Sequence, residues 1–182
     1  LKSNAKPARF FSAILMLACI GLSTSCGVSV NYSLTGVGTQ AKTISITDFY
    51  NNASLGPATM GQDLTNSMKV FFVQNSPLSI VAEEGELQLE GEITDYRLTP
   101  IAPVSSGNAN DITNAASTRL TITVKATYVN TLDEKMSFKN KTFSFYRDFT
   151  NDVNLSDVEE QYVREIFTRI INDIFNASVA NW

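Results

Sequence analysis

The chain has 182 residues, with 14 Lys and Arg against 18 Asp and Glu, a formal net charge of −4 and no histidine. The missing histidine removes Ser-His-Asp and Cys-His catalysis, histidine-ligated zinc and the usual base at physiological pH. The acidic balance argues against general nucleic-acid binding, which needs a basic surface, and the sequence carries no Gly-rich phosphate loop of Walker or dinucleotide type.

The first 25 residues read as an export signal. Lys2, Lys6 and Arg9 precede the apolar run Phe10–Leu22, and the small residues Ser23-Thr24-Ser25 lead to Cys26. A basic start, a short apolar core and small residues before a cleavage point are the marks of a secretory signal peptide. The run is too short to span a membrane, which takes about 20 residues. A cysteine directly after the small residues resembles a bacterial lipobox, in which the thiol is acylated and the chain is cut just before it. Ser23 departs from that motif, which carries Leu there. Cys19 is the competing position, but it lies inside the apolar run, so Cys26 is preferred. The chain is therefore expected to divide into a signal peptide over 1–25, an anchor cysteine and tether over 26–41, and one α/β domain over 42–182. Removing residues 1–25 takes away three cations and no acids, leaving eleven cations against eighteen acids and a net charge of −7. Acylation of Cys26 would leave no thiol for a disulfide or a metal cluster.

The tether, Gly27–Gln40, is rich in Gly, Ser, Thr and Asn. Lys42–Phe49 alternates Ile44 and Ile46 with Thr and Ser, which is strand periodicity. Asn51–Pro57 reads as a loop. Over Thr59–Gln74, Met60, Leu64, Met68 and Phe72 recur every fourth residue and predict an amphipathic helix. Glu83-Glu84-Gly85-Glu86 is the densest acidic run and reads as a solvated turn. Glu86–Ile93 is the second strand, with Leu87, Leu89 and Ile93 facing one way. Tyr96 and Leu98 then continue on the opposite parity, so a bulge near Thr94-Asp95 is needed to keep them on the same face.

Ser105–Ser117 is the second clear loop. The third strand places Leu120, Ile122, Val124, Ala126 and Tyr128 on one face, against Arg119, Thr121, Thr123, Lys125 and Thr127 on the other. Asn130–Lys135 is a turn, and Ser137–Phe149 is the fourth strand, with Phe143, Phe145 and Phe149 on one parity. The last element is a helix opening at Ser156, where Ser156-Asp157-Val158-Glu159 has the form of a capping box. Its stripe is Val158, Tyr162, Ile166, Phe167, Ile170, Ile171, Ile174 and Phe175. The acidic residues on its polar face favour core packing over a membrane-surface role.

Every strand has one apolar face and each helix one apolar stripe. The expected fold is α+β: a two-layer sandwich with two helices on one face of a four-stranded mixed sheet, in the order β-α-β-β-β-α. The other face of the sheet is then polar and open.

With that architecture the chain resembles the LPS-assembly lipoprotein family (LptE-like) in its Bacteroidetes form. The likeness rests on the order and spacing of several segments: Tyr32-Ser33-Leu34-Thr35-Gly36, Lys42-Thr43-Ile44-Ser45-Ile46, Asn51-Asn52-Ala53, Gly91-Glu92-Ile93-Thr94-Asp95-Tyr96 and Phe143–Phe149. The resemblance implies a non-enzymatic outer-membrane lipoprotein without cofactor or metal. Such a protein plugs the LptD β-barrel, assists its assembly and helps deliver lipopolysaccharide to the outer leaflet. The implied partners are LptD, lipopolysaccharide and, through the anchor, the membrane. The competing reading is another outer-membrane lipoprotein adaptor or scaffold of an envelope complex. Phosphate groups favour Arg and Lys donors, so the candidate lipopolysaccharide contacts are Arg119 and Lys125 on the open face and Lys139, Lys141 and Arg147 on the next strand. Cross-strand pairing of Arg119 and Lys125 with Glu90 and Glu92 is the alternative role for the first two.

Overall fold

A computed structural model describes residues 39–101 and 117–180. Cys26, Cys19, most of the tether and residues 105–116 of the expected loop lie outside them. The described part holds six strands and two long helices: β1 Thr43–Ile46, β2 Tyr50–Asn51, α1 Met60–Asn75, β3 Ser79–Val81, β4 Leu87–Ile101, β5 Ser117–Asn130, β6 Phe138–Thr150 and α2 Leu155–Ser178. A 3-10 turn, Glu134–Met136, sits between β5 and β6. The class is α+β, with a mixed, open sheet ordered β3-β1-β4-β5-β6, and β2 paired with β4.

The expected count of four strands is corrected to six. The two additions, β2 and β3, have two and three residues, too short for alternation to register in the sequence. Both pair in parallel, β3 with β1 and β2 with β4.

The strand β1 and the fragment β2 run in succession along one side of β4, interrupted at Thr47–Phe49. The interruption turns Phe49 into the core, where it is 3% exposed. Gly91 makes room for it: a Cβ at Gly91 would collide with the Phe49 ring and with the Lys125 carbonyl. The Phe49 N–H, freed from the ladder, donates to Thr65 Oγ1 at 2.9 Å, and the Thr65 hydroxyl donates to the Gly61 carbonyl at 2.8 Å. Thr65 is itself buried, so this small latch ties the strand break to α1 while satisfying a buried amide.

The central hairpin follows the alternation closely. Leu87, Leu89 and Ile93 are buried, the register slips between Ile93 and Asp95, and Tyr96 re-enters the same face opposite Ile122. All five expected inward residues of β5 are buried, from Leu120 to Tyr128. Met60, Leu64, Met68 and Phe72 of α1 are fully buried. The 24-residue α2 is about 36 Å long. It presents Ile166, Ile170, Ile171 and Ile174 to the sheet and sets the Phe175 ring edge-on against Phe71 and Phe72, with centroids 5.4 and 5.1 Å away. The two stripes and the inward sheet face form one core.

The expected capping box is also corrected. The helix begins at Leu155, and the cap is Asn154, two residues before Ser156, whose N–H donates to the Asn154 side chain. Glu159 is not folded back on the terminus. Its carboxylate accepts instead from the Tyr96 hydroxyl at 2.6 Å, joining α2 to β4.

The acidic turn has a structural use as well. Glu86 Oε2 accepts from the Lys42 and Thr43 N–H groups at 2.5 and 3.3 Å, while its own N–H donates to Thr43 Oγ1. This pins the first residues of β1 beside the start of β4.

Candidate functional site

The helices cover one face of the sheet and leave the other open, and pairing register assigns every residue of the three long strands to a face, because directly opposed residues share one. The open face consists of cross-strand rows. Thr99, Arg119 and Asp148 form one; Arg97, Thr121 and Tyr146 the next; then Asp95, Thr123 and Ser144; then Glu92, Lys125 and Thr142. Apart from the Tyr146 ring these side chains are polar, as the alternation predicts.

Two of the four rows are bonded within themselves, and a further pair ties neighbouring rows. Arg119 makes a two-pronged pair with Asp148, Nε at 2.7 Å and one terminal nitrogen at 2.9 Å, and lies 3.7 Å above the centre of the Tyr146 ring. These bonds hold the Asp148 carboxyl below the ordinary carboxylate range and raise the Arg119 guanidinium further. Arg97 pairs with Asp95, Thr123 Oγ1 meets Ser144 Oγ at 3.1 Å, and the Thr94 hydroxyl at the bulge donates to the Thr123 carbonyl. Asn52 reaches across to Glu92 at 2.5 Å. The face is thus a stiff polar lattice and not a set of waiting ligands.

The five candidate cations do not converge. Arg119 and Lys125 are on the open face, as expected. Arg119 answers Asp148 on β6, not Glu90 on β4, whereas Lys125 does stand directly opposite Glu92. Lys125 lies in a recess of about 280 Å³ that also holds Asp48, Glu90 and Glu92. Glu90 and Glu92 beside this lysine, with Asp48 already paired to Lys69 at 3.2 Å, favour charge balance over capture of an anion.

Lys141 and Arg147 face the helix side, because they lie opposite Ala126 and Leu120, which are buried in the core. Arg147 pairs with Glu165 of α2 at 3.4 Å and sits 5.5 Å from the Tyr162 ring, while Lys141 lies over Phe138 and Phe143. Lys139 is exposed beside the β6 irregularity at Asn140, whose φ is +52°. Lys125, Lys139 and Lys141 form no ion pair among the described residues.

Three participants are not evident from the sequence pattern. Tyr146 and Asp148 hold Arg119, and the register of the β5–β6 hairpin, once drawn through the Thr131–Ser137 turn, would have exposed both. Arg169, four residues beyond Glu165 on α2, reaches the Phe145 ring at 6.0 Å and lines a groove beside β6. Its i,i+4 spacing from Glu165 was the available signal.

Among the described residues no helix is long and apolar enough to cross a membrane, and no group of three Cys, Asp or Glu could hold a metal ion.

Solved structures similar to this chain include those of three bacterial proteins. A hypothetical protein from Chlamydia trachomatis superposes with a TM-score of 0.52 at 9% identity, covering 78% of this chain and 99% of the other. A minor lipoprotein from Acinetobacter baumannii gives 0.44 at 14% identity, covering 74% and 89%. An uncharacterized lipoprotein B from Nitrosomonas europaea gives 0.42 at 14% identity, covering 74% and 79%. The first likeness is one of fold. No curated protein sequence matches the chain. The model of the family LptE, lipopolysaccharide-assembly, matches residues 41–178, which takes in every strand and both helices described above. The chain belongs to the lipopolysaccharide-assembly LptE family.

Proposed function

We propose that the protein is a non-enzymatic outer-membrane lipoprotein, tethered through acylated Cys26, that sits in the lumen of the LptD barrel and supports its assembly and the delivery of lipopolysaccharide. The observation that carries this reading is the open sheet face. It is wide, polar and bonded within itself, which suits contact with the polar, water-filled interior of a large barrel. An apolar face would suit a lipid-facing or obligate dimer surface instead. The space between helices and sheet is filled by the Ile, Leu and Phe side chains of the core, which supports a plug in preference to a lipid-carrying cavity. The tether supplies attachment, although one acyl chain binds a membrane only marginally and stable anchoring takes a second.

Within this reading Lys139 is the cation best placed to meet a lipopolysaccharide phosphate. It is exposed and has neither an ion pair nor a ring contact among the described residues, whereas Arg119 is held by Asp148 and Lys125 lies beside Glu90 and Glu92. Lys139→Gln should weaken lipopolysaccharide binding in a direct assay by about three- to tenfold, the ordinary range for loss of one charge-assisted bond at an exposed site. Lys125→Gln should leave it unchanged. Equal loss in both variants, or in neither, would contradict the assignment.

The functional test is affinity purification of the tagged chain from detergent-solubilised envelopes, with the Cys26→Ala variant alongside. Recovery of an LptD-type barrel with the acylated chain supports the proposal. Recovery of a different barrel, or of a scaffold without one, supports the adaptor reading instead.

A further inference from the structure

The two edges of the sheet are unequal. One ends in the three-residue β3; the other is the 13-residue β6, which pairs with β5 on one side and with nothing among the described residues on the other. Such an edge presents a row of unpaired N–H and C=O groups and is a template for another strand. Natural edges of this length are usually blunted by charge. Here the charges sit at the two ends of the central segment, at Lys141 and Arg147, and Thr142-Phe143-Ser144-Phe145-Tyr146 between them is uncharged and rich in strand-forming residues. Beside that segment, between β6 and α2, runs an open groove of about 610 Å³ lined in part by Phe145, Arg147, Glu165, Thr168 and Arg169.

We infer that the free edge of β6 is a docking strand for an extended, acidic segment of a partner protein. The segment would pair with the β6 backbone and place alternate side chains in the β6–α2 groove. This is recognition by strand addition, in which backbone bonds supply affinity and pockets beside the strand supply selectivity.

Charge decides the partner. Lys141, Arg147 and Arg169 stand here beside Asp148, Glu165 and Asp173, but Asp148 is taken up by Arg119 and Glu165 by Arg147, so Lys141 and Arg169 are left against Asp173 alone, although the chain as a whole is acidic. Neither Lys141 nor Arg169 has an ion pair among the described residues. A second copy is disfavoured by the same residues. The antiparallel register that overlaps all of Phe138–Thr150 with itself centres on Ser144 and sets Lys141 directly against Arg147, and like charges so opposed are destabilising. A partner strand with carboxylates six residues apart meets both cations at once. The inference concerns this edge alone and does not depend on which barrel the protein joins.

The test is amide hydrogen exchange on the full chain with a capped peptide, Glu-Thr-Val-Thr-Val-Thr-Glu, as the probe and its Lys-ended counterpart as control. The acidic peptide should slow exchange in Lys141–Arg147 by about two- to tenfold, the range expected when open amides gain hydrogen bonds of ordinary net strength. The Lys-ended peptide should have no effect. Lys141→Glu, which breaks no ion pair, should abolish the response to the acidic peptide while leaving the rest of the exchange map intact. Four results would overturn the inference: no slowing with the acidic peptide, equal slowing by both peptides, slowing by lipopolysaccharide micelles but not by the acidic peptide, or protection that grows with protein concentration alone.

Discussion

Arg119 shows what a single residue does on the open face. Its guanidinium is fixed from two directions, by the Asp148 carboxylate and by the Tyr146 ring 3.7 Å below, so it stiffens the β5–β6 ladder. Asp148 titrates below the ordinary carboxylate range, chiefly because Arg119 bonds its charged form. Its contribution to stability is complete above about pH 4 and is lost as pH falls through the lowered value. Asp148→Asn should therefore flatten the acid side of the stability–pH curve, as followed by thermal melts at a series of pH values; an unchanged acid limb would count against the pair. Tyr96 acts in the opposite pH range. Burial, reinforced by its bond to Glu159, raises its phenol well above the usual value, and burial pushes Tyr128 up to about 12. Among the described residues no hydrogen bond to the Tyr128 hydroxyl meets ordinary geometry, though the neighbouring Asn130 amide partly opposes the rise. A raised phenol favours the neutral form in the folded state, so its support is complete below about pH 10 and fades above it. Tyr96→Phe should cost about 1 kcal/mol at neutral pH, the net worth of one hydrogen bond. It should also leave stability less sensitive to alkali in the same melts.

At the scale of elements, what could be read in advance was whatever repeats. The four-residue period of Met60, Leu64, Met68 and Phe72 and the two-residue period of Leu120 to Tyr128 describe surfaces that are buried on one side only, so the pattern is a direct record of packing. The bulge at Thr94 was legible because Tyr96 had to return to the face of Ile93. The strand break at Thr47–Phe49 was not, because it depends on a long-range fit. Phe49 turns inward only where Gly91, 42 residues on, leaves space and where Thr65 on α1 accepts its N–H. The cap of α2 was missed for a related reason. Ser156 and Glu159 have the spacing of a capping box, but Asn154 and Tyr96 offer their backbone and side chain better partners. Thr65→Val tests the latch. It keeps the shape, removes the hydroxyl and leaves the Phe49 amide buried without an acceptor, which should cost about 1–3 kcal/mol in chemical denaturation. A loss near zero would mean that the break is held by packing alone.

The described residues form a two-layer domain whose two sheet surfaces have opposite characters. One is sealed by α1 and α2 and carries the core; the other is a bonded polar lattice with its long free edge at β6. The candidate cations were recognisable as residues but not as a site, since their division between the two faces depends on hairpin register and on what each strand meets. Arg119 and Lys125 went to the open face, Lys141 and Arg147 to the helix side. Family membership places the chain in lipopolysaccharide assembly, and the proposed seat of the open face inside the barrel is the central claim. It is tested most directly by a photo-crosslinking residue at Thr123, in the middle of that face, in cells whose envelope is intact. A covalent adduct with the LptD barrel is expected at this position, in higher yield than from Asn176 on the outer side of α2. Adducts with a different envelope protein, or a barrel adduct from Asn176 in a yield as high as from Thr123, would contradict the claim.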